Sequence, residues 1–228
     1  MAGRADVPRI LLSNDDGILA RGLGVLAEVC ATVGQVTVVA PDREQSATSH
    51  SLTLHRPLRA TRTADGAFQV DGTPTDCVLL ALGMLMPDAP DFVISGINHG
   101  ANMGEDVLYS GTVAAAFEGL VAGIPSIAIS FAGGDLDLLD SHRAGLERLV
   151  RRLVTVKDFP KETLLNVNLP GIPGDAVKVQ RATRVWVEID QAGFPPLFDH
   201  LVKGMGFGNL CTITGLDLGP DLCFIYHL

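Results

Sequence analysis

Short, strongly apolar runs separated by stretches of helix length set the main constraint on this chain. Ile10-Leu11-Leu12, Gln35 to Ala40 (QVTVVA), Phe92-Val93-Ile94, Pro125 to Phe131 (PSIAISF) and Leu164 to Leu169 are strand-length runs, several rich in β-branched residues. Hydrophobicity that is nearly continuous, rather than alternating, belongs to strands covered on both faces. Between the first two runs, Leu23, Leu26, Ala27 and Cys30 recur at spacings of three and four, and Gly34 supplies a C-terminal stop. Strand, helix and strand in this order imply parallel pairing. The expected fold class is α/β, with a mostly parallel sheet between two helical layers.

The remaining segments fill in around that frame. Leu52 to Leu54, Leu58 to Thr63 and Phe68 to Val70 alternate in polarity and read as a β-hairpin excursion turning at Asp65-Gly66. Thr73-Pro74-Thr75-Asp76 opens a helix to about Met86, with a hydroxyl cap and a proline in the first turn. Ser95 to Thr112 is glycine-rich and reads as a loop, followed by a helix over 113–121. An amphipathic helix over 137–154 buries Leu146, Leu149, Val150 and Leu153. From about residue 171 the patterns weaken. Val177 to Gln180 and Arg184 to Ile189 are strand candidates, and Gly193 to Gly208 has no clear period. A catalytic core over 1–170 and a C-terminal arm over 171–228 are therefore expected.

Composition excludes several classes of function. A chain of 228 residues buries roughly 70% of its unfolded surface and needs no staples. The net charge of −9 speaks against nucleic-acid polymers as partners, since their binders carry a basic face. A small phosphorylated substrate stays open, because a bound cation inverts the local field. The N-terminal residues lack the apolar core of a signal peptide, and no apolar run approaches the length of a membrane span. A cytoplasmic protein without membrane contact is expected. The four cysteines form no C-x-x-C pair, and Cys30 and Cys77 read as buried thiols.

Chemistry concentrates first at Ser13-Asn14-Asp15-Asp16-Gly17, where the first apolar run ends. Burying one unpartnered charge costs several kcal/mol, and adjacent like charges repel. A turn with a helix cap is one reading of Asp15-Asp16-Gly17; a divalent cation held by hard carboxylate oxygens is the other. Two further polar groups follow strand exits, Ser46 after the second run and Asn98 after the third. In parallel sheets ligands bind beyond the carboxyl ends of the strands. Asp15, Asp16, Ser46 and Asn98 would form an all-oxygen set suited to Mg2+, Mn2+ or Ca2+ rather than Zn2+. Tyr109-Ser110-Gly111-Thr112 lies directly before a helix, and free N–H groups there with two hydroxyls make an anion site. Gly22-Leu23-Gly24 is no dinucleotide fingerprint, because it lies inside the first helix and lacks the third glycine. Phosphate-loop and nucleophile-elbow motifs are also missing from the sequence.

The segments SNDDGILARGL, VVAPDREQSATSHSLTL, DGTPTDCV, SGINHGANMGEDVLYSGTVAAAFEG and GIPSIAIS, in this order, closely resemble the survival protein E (SurE) family of nucleotidases. The resemblance covers residues 8–170. It implies a Rossmann-like core and a metal-dependent phosphomonoesterase acting on nucleoside 5′- or 3′-monophosphates. It also implies metal ligands at Asp15, Asp16, Ser46 and Asn98, with one Mg2+ or Mn2+. The family's phosphate-contacting turn falls on Ser110, Gly111 and Thr112, with Asn102 in the same loop. Asp15 or Asp16 is a candidate base or nucleophile, and His50 a candidate acid for the leaving oxygen. Ser49 stands where a glycine is common in the family, and Phe207 to Leu228 departs from the family's usual closing segment. The family's arm implies a homodimer or homotetramer. The rival functions are a broader phosphatase or exopolyphosphatase and a non-enzymatic nucleotide or phosphate sensor.

Overall fold

The computed structural model describes residues 7–156, 159 and 163–177, together with the backbone strands 181–184 and 210–214. Its centre is a sheet of nine strands: β1 (Arg9–Ser13), β2 (Gln35–Pro41), β3 (Ala60–Arg62), β4 (Phe68–Val70), β5 (Phe92–His99), β6 (Ser126–Phe131), β7 (Leu164–Leu169), β8 (Arg181–Arg184) and β9 (Leu210–Thr214). Their spatial order is β3-β4-β2-β1-β5-β6-β7-β9-β8. The β3–β4 and β8–β9 pairs at the two edges are antiparallel, and every other neighbouring pair is parallel. The α/β expectation with a mostly parallel sheet holds.

Both faces of the sheet are covered, as continuous apolar runs require. In β1, Ile10 and Leu12 turn to one face, where they pack with α1 (Arg21–Ala31) through Leu26 and Val29. Leu11 turns to the other face and joins Cys77 and Val78 of α2 (Pro74–Leu80). A short helix α3 (Asp106–Tyr109) precedes α4 (Gly111–Val121), which also covers this second face. The last helix, α5 (Arg143–Leu153), packs beside α1 through Leu146, Leu149, Val150 and Leu153. Among the described residues no helix is long and apolar enough to cross a membrane. Cys30 and Cys77 are buried free thiols, as expected.

The strand order places the site. β1 lies between β2 and β5, so the chain leaves β1 toward one edge and later returns on its other side. The crevice at the carboxyl ends of β1 and β5 is the reversal point where such sheets bind ligands. α1 approaches β5 closely at Gly22, where an added Cβ would lie 2.0 Å from the Ile97 carbonyl oxygen. Close helix–sheet packing, rather than a dinucleotide, accounts for that glycine.

Several expected boundaries need correction. The third strand does not end at Ile94; it continues to His99, paired with β6 as far as Phe131, with a register shift between Gly96 and Asn98. Glycines alone did not mark a loop, because Ser95 is buried in the ladder opposite Ala128 and Ile97, at the register shift, is buried as well. Leu52 to Leu54 is not a strand: the Thr53 N–H donates to Asp76 Oδ1 at 3.0 Å, a side chain taking the place of a strand partner. Asp76 also closes the capping box with Thr73 that starts α2. That helix is α only to Leu80 and passes into a π turn over Ala81–Leu85. The stretch expected as one helix from 137 opens as a 3-10 helix, Leu136–His142, capped by Asp135, and only then becomes α5. In the C-terminal part Arg181–Arg184 forms β8, and β9 inserts between β7 and β8, a placement that was not expected. Of the other C-terminal candidates, 178–180, 185–189 and 193–208 lie outside the described residues.

Candidate active site

The turn after β1 is held from below. Asn14 is fully buried and its Nδ2 donates to the Gly17 carbonyl at 2.9 Å, while Gly17 takes a φ of +94° that suits glycine. Asp15 is 4% exposed, and its Oδ1 accepts a hydrogen bond from the Thr112 hydroxyl. Burial pushes its carboxyl above the ordinary carboxylate range; the Thr112 hydroxyl opposes this and the Asp16 charge adds to it. Asp16 is also raised, first by burial, against the His99 N–H that donates to its Oδ2 at 3.0 Å, with Glu44 adding repulsion. Gly111 packs directly on Asp15: an added Cβ would stand 2.8 Å from the Asp15 Cβ and 3.0 Å from its Oδ2.

A cavity of about 380 Å³ opens over the two carboxylates. Asp15, Asp16, Ser46, Asn98, Asn102 and Ser110 all line it, so the sequence-selected groups from three strand exits and the α4 turn converge on one space. The Asn98 Nδ2 donates to the Gly100 carbonyl at 2.8 Å, which leaves its Oδ1 as an acceptor. Ser46 is exposed, and its hydroxyl donates to Glu44 Oε1 at 2.7 Å. Ser110 caps α4, its Oγ accepting the Val113 N–H at 3.1 Å. Gly111 and Thr112 lie behind the wall rather than on it, one packed on Asp15 and the other hydrogen-bonded to it. His50 is not on this wall. Its Nε2 lies 2.8 Å from Glu118 Oε2 on α4, and its ring meets Phe117 edge-on.

Asn102 is the anchor of the far wall. Its N–H donates to Asn168 Oδ1 at 2.8 Å, its carbonyl accepts from Asn166 and Asn168, and its Nδ2 donates to the Ser130 hydroxyl. These partners stand on β6 and β7, so the glycine-rich segment is tied to the sheet on its far side. Sequence reading missed this support, although polar residues inside apolar strands were its visible signal. It also left out Glu44 and Asp106, which line the cavity as well.

The donors suit a hard cation. Two carboxylates whose ionisation burial opposes are partners that a divalent ion would relieve. Among the described residues no three His, Cys, Asp or Glu side chains gather closely enough for an ion. Any metal here would rest on the aspartates plus the neutral oxygens of Ser46 and Asn98, a set that fits Mg2+ or Mn2+.

Residues 10–191 match the sequence profile of the family described as Survival protein SurE. This chain belongs to the SurE family. A protein of Gemmatimonas aurantiaca named 5'-nucleotidase SurE is 62% identical over 180 residues, covering 78% of this chain and 71% of that protein. One of the same name from Methylococcus capsulatus is 51% identical over 176 residues, 77% of this chain and 70% of the relative. The crystal structure of the SurE protein from Aquifex aeolicus superposes with a TM-score of 0.71 at 32% identity, covering 94% of this chain and 95% of that one. The family expected from the NDDG and SGIN…YSGTV segments is thus the family found, and the α/β fold is shared with a SurE crystal structure.

Proposed function

We propose that this SurE-family chain is a metal-dependent phosphomonoesterase, a 5'-nucleotidase that cleaves nucleoside 5'- and also 3'-monophosphates to nucleoside and phosphate. The observation that carries the reading is the buried Asp15 and its half-buried neighbour Asp16 sharing one cavity with Ser46, Asn98, Asn102 and Ser110. A dianionic phosphate would be repelled by that pair alone, so a cation held by Asp15, Asp16, Ser46 and Asn98 is part of the proposal. When bound it supplies charge neutralisation for the phosphoryl group.

The chain's own residues do the rest. Ser110 caps α4, and the first N–H groups of that helix turn positive dipole density toward a phosphate oxygen. Thr112 fixes the rotamer of Asp15, and the His99 N–H fixes Asp16, so the carboxylates need little reorganisation. Asn102, tied to β6 and β7, gives the cavity a rigid far wall that orients the substrate. We assign protonation of the leaving oxygen to His99, which lines the cavity, rather than to His50. His50 instead holds the Ser46 loop to α4 through Glu118. The family reading also carries a cytoplasmic homodimer or homotetramer, for which light scattering behind a sizing column is the check.

The test is phosphate release from a panel of nucleoside monophosphates and from polyphosphate, with Mn2+, with Mg2+ and with EDTA. Metal-dependent release confined to monophosphates is expected, and Asp15→Asn should reduce it at least 10³-fold, the scale of a lost electrostatic element. Release mainly from polyphosphate would make this a broader phosphatase. No release under any metal would favour a sensor.

A further inference from the structure

A second cavity opens on the same edge of the sheet, further out from the acidic pair. β2 and β4 are parallel neighbours ending at Pro41 and Val70, so Asp42, Arg43 and Asp71 follow at their carboxyl ends. Arg56 and Arg59 precede β3 on the same side, and with Gln69 these residues line a cavity of about 410 Å³. That volume lies in the range of small-ligand sites.

The wall is internally organised. Asp71 Oδ1 accepts the Arg59 N–H at 2.8 Å, and Arg56 Nη1 stands 3.2 Å from Asp71 Oδ2 while its Nη2 donates to the Asp71 carbonyl. The Asp71 carboxylate is thereby engaged within the wall. Two guanidinium groups are not. Among the described residues Arg43 comes no closer to a carboxylate than 3.9 Å, to its neighbour Asp42, and its side chain is 67% exposed. The Arg59 guanidinium acts on the Asp71 charge at longer range, but among the described residues it makes no side-chain hydrogen bond or close ion pair, so its donors stay open. Three arginines thus meet two aspartates, a local excess of positive charge on a chain whose net charge is −9. Guanidinium groups with open donors in a concavity suit a phosphate, whose oxygens accept them in forked geometry.

This cavity is joined to the first by a few residues of chain. The carbonyl carbon of Arg43 lies 3.0 Å from where a Cβ on Gly17 would stand, so the loop backbone abuts the acidic turn. Two residues on, the Gln45 N–H donates to the Asp15 carbonyl at 2.7 Å. Glu44 and Ser46, on either side, line the acidic cavity.

We propose that the Arg43–Arg56–Arg59 cavity is a second anion site, separate from the acidic one, that takes a phosphate-bearing ligand and steadies residues 42–46 when filled. The ligand chemistry is a multiply charged phosphate, either free inorganic phosphate or the phosphate chain of a larger molecule. The site does not depend on the nucleotidase reading.

The test uses the full chain in EDTA at low salt, with inorganic phosphate and tripolyphosphate as calorimetric titrants. Saturable binding of at least one probe is expected, within twofold the same in Asp15→Asn as in the parent. Arg59→Ala and Arg43→Gln should each weaken it at least tenfold, with unchanged circular dichroism. Binding of both probes assigns free phosphate as the sufficient ligand; binding of tripolyphosphate alone assigns a phosphate chain. Hydrogen exchange over 42–46 should slow at least twofold on addition of the bound probe, and not in Arg59→Ala. Absence of saturable binding, or binding that survives both arginine variants, would overturn the site. Unchanged exchange over 42–46 would overturn its link to the loop.

Discussion

Asp15 carries two opposed demands. Its carboxylate is 4% exposed beside a second carboxylate, and burial raises its pKa above the ordinary carboxylate value. A carboxyl whose folded pKa is raised binds its proton more tightly in the native state. Its contribution to stability is therefore fully present below about pH 3.8 and is lost as pH rises through the raised folded value. At neutral pH, without metal, the native state bears the cost of this charge. Asp15→Asn keeps an oxygen for the Thr112 hydroxyl and removes the charge. In EDTA at pH 7 the variant should be more stable by about 1 kcal/mol, while inactive, as functional sites often trade stability for activity. Thermal melts across pH check the sign: the gain should shrink as pH falls toward 4. A variant less stable than the parent at pH 7 would contradict the account of Asp15. The adjacent acids were legible as a pair in need of a partner. Their support by Thr112, the His99 N–H and the Gly111 backbone was not, because those contacts span strand to helix and no local pattern encodes them.

At the scale of elements, α1 holds two glycines with different tasks. Gly22 faces the Ile97 carbonyl, where a Cβ would stand at 2.0 Å, whereas Gly24 is exposed with nothing within 4 Å of its would-be Cβ. Gly22→Ala should force α1 off β5 and destabilise by about 3 kcal/mol, at the upper end of overpacking costs. Gly24→Ala should stabilise by about 0.5–1 kcal/mol, through lower backbone entropy in the unfolded chain. Urea denaturation of the two variants separates them, and equal effects would refute the packing account. Strands and helices with continuous or periodic apolar residues were legible because burial imposes those patterns. The boundaries that shifted lie where a tertiary partner took over. Examples are β5 prolonged along β6, and Leu52 to Leu54 drawn from a ladder by Asp76.

For the whole molecule, β9 decides whether β7 is an edge. It pairs in parallel with β7 from Leu164↔Leu210 to Asn168↔Thr214, and antiparallel with β8. A proline within β9 removes a ladder donor from an internal strand. Ile213→Pro should cost about 3 kcal/mol, lowering the melting temperature by about 6–12 °C for a chain of this size. It should also promote aggregation through the opened β7 edge, measurable by light scattering. An unchanged melting temperature would show that β9 adds nothing to the sheet.

The sequence by itself determined the layered α/β class, the parallel core strands, the family and the polar groups at the strand exits. Each is written in local patterns: apolar runs, helical spacing, adjacent acids, a cap before a helix. The tertiary structure alone decided that β1 sits between β2 and β5, which brings those exits onto one cavity. It also decided that His50 faces Glu118 instead, and that asparagines of β7 anchor Asn102. Such contacts join residues up to a hundred positions apart, and chain topology, not neighbouring sequence, brings them together.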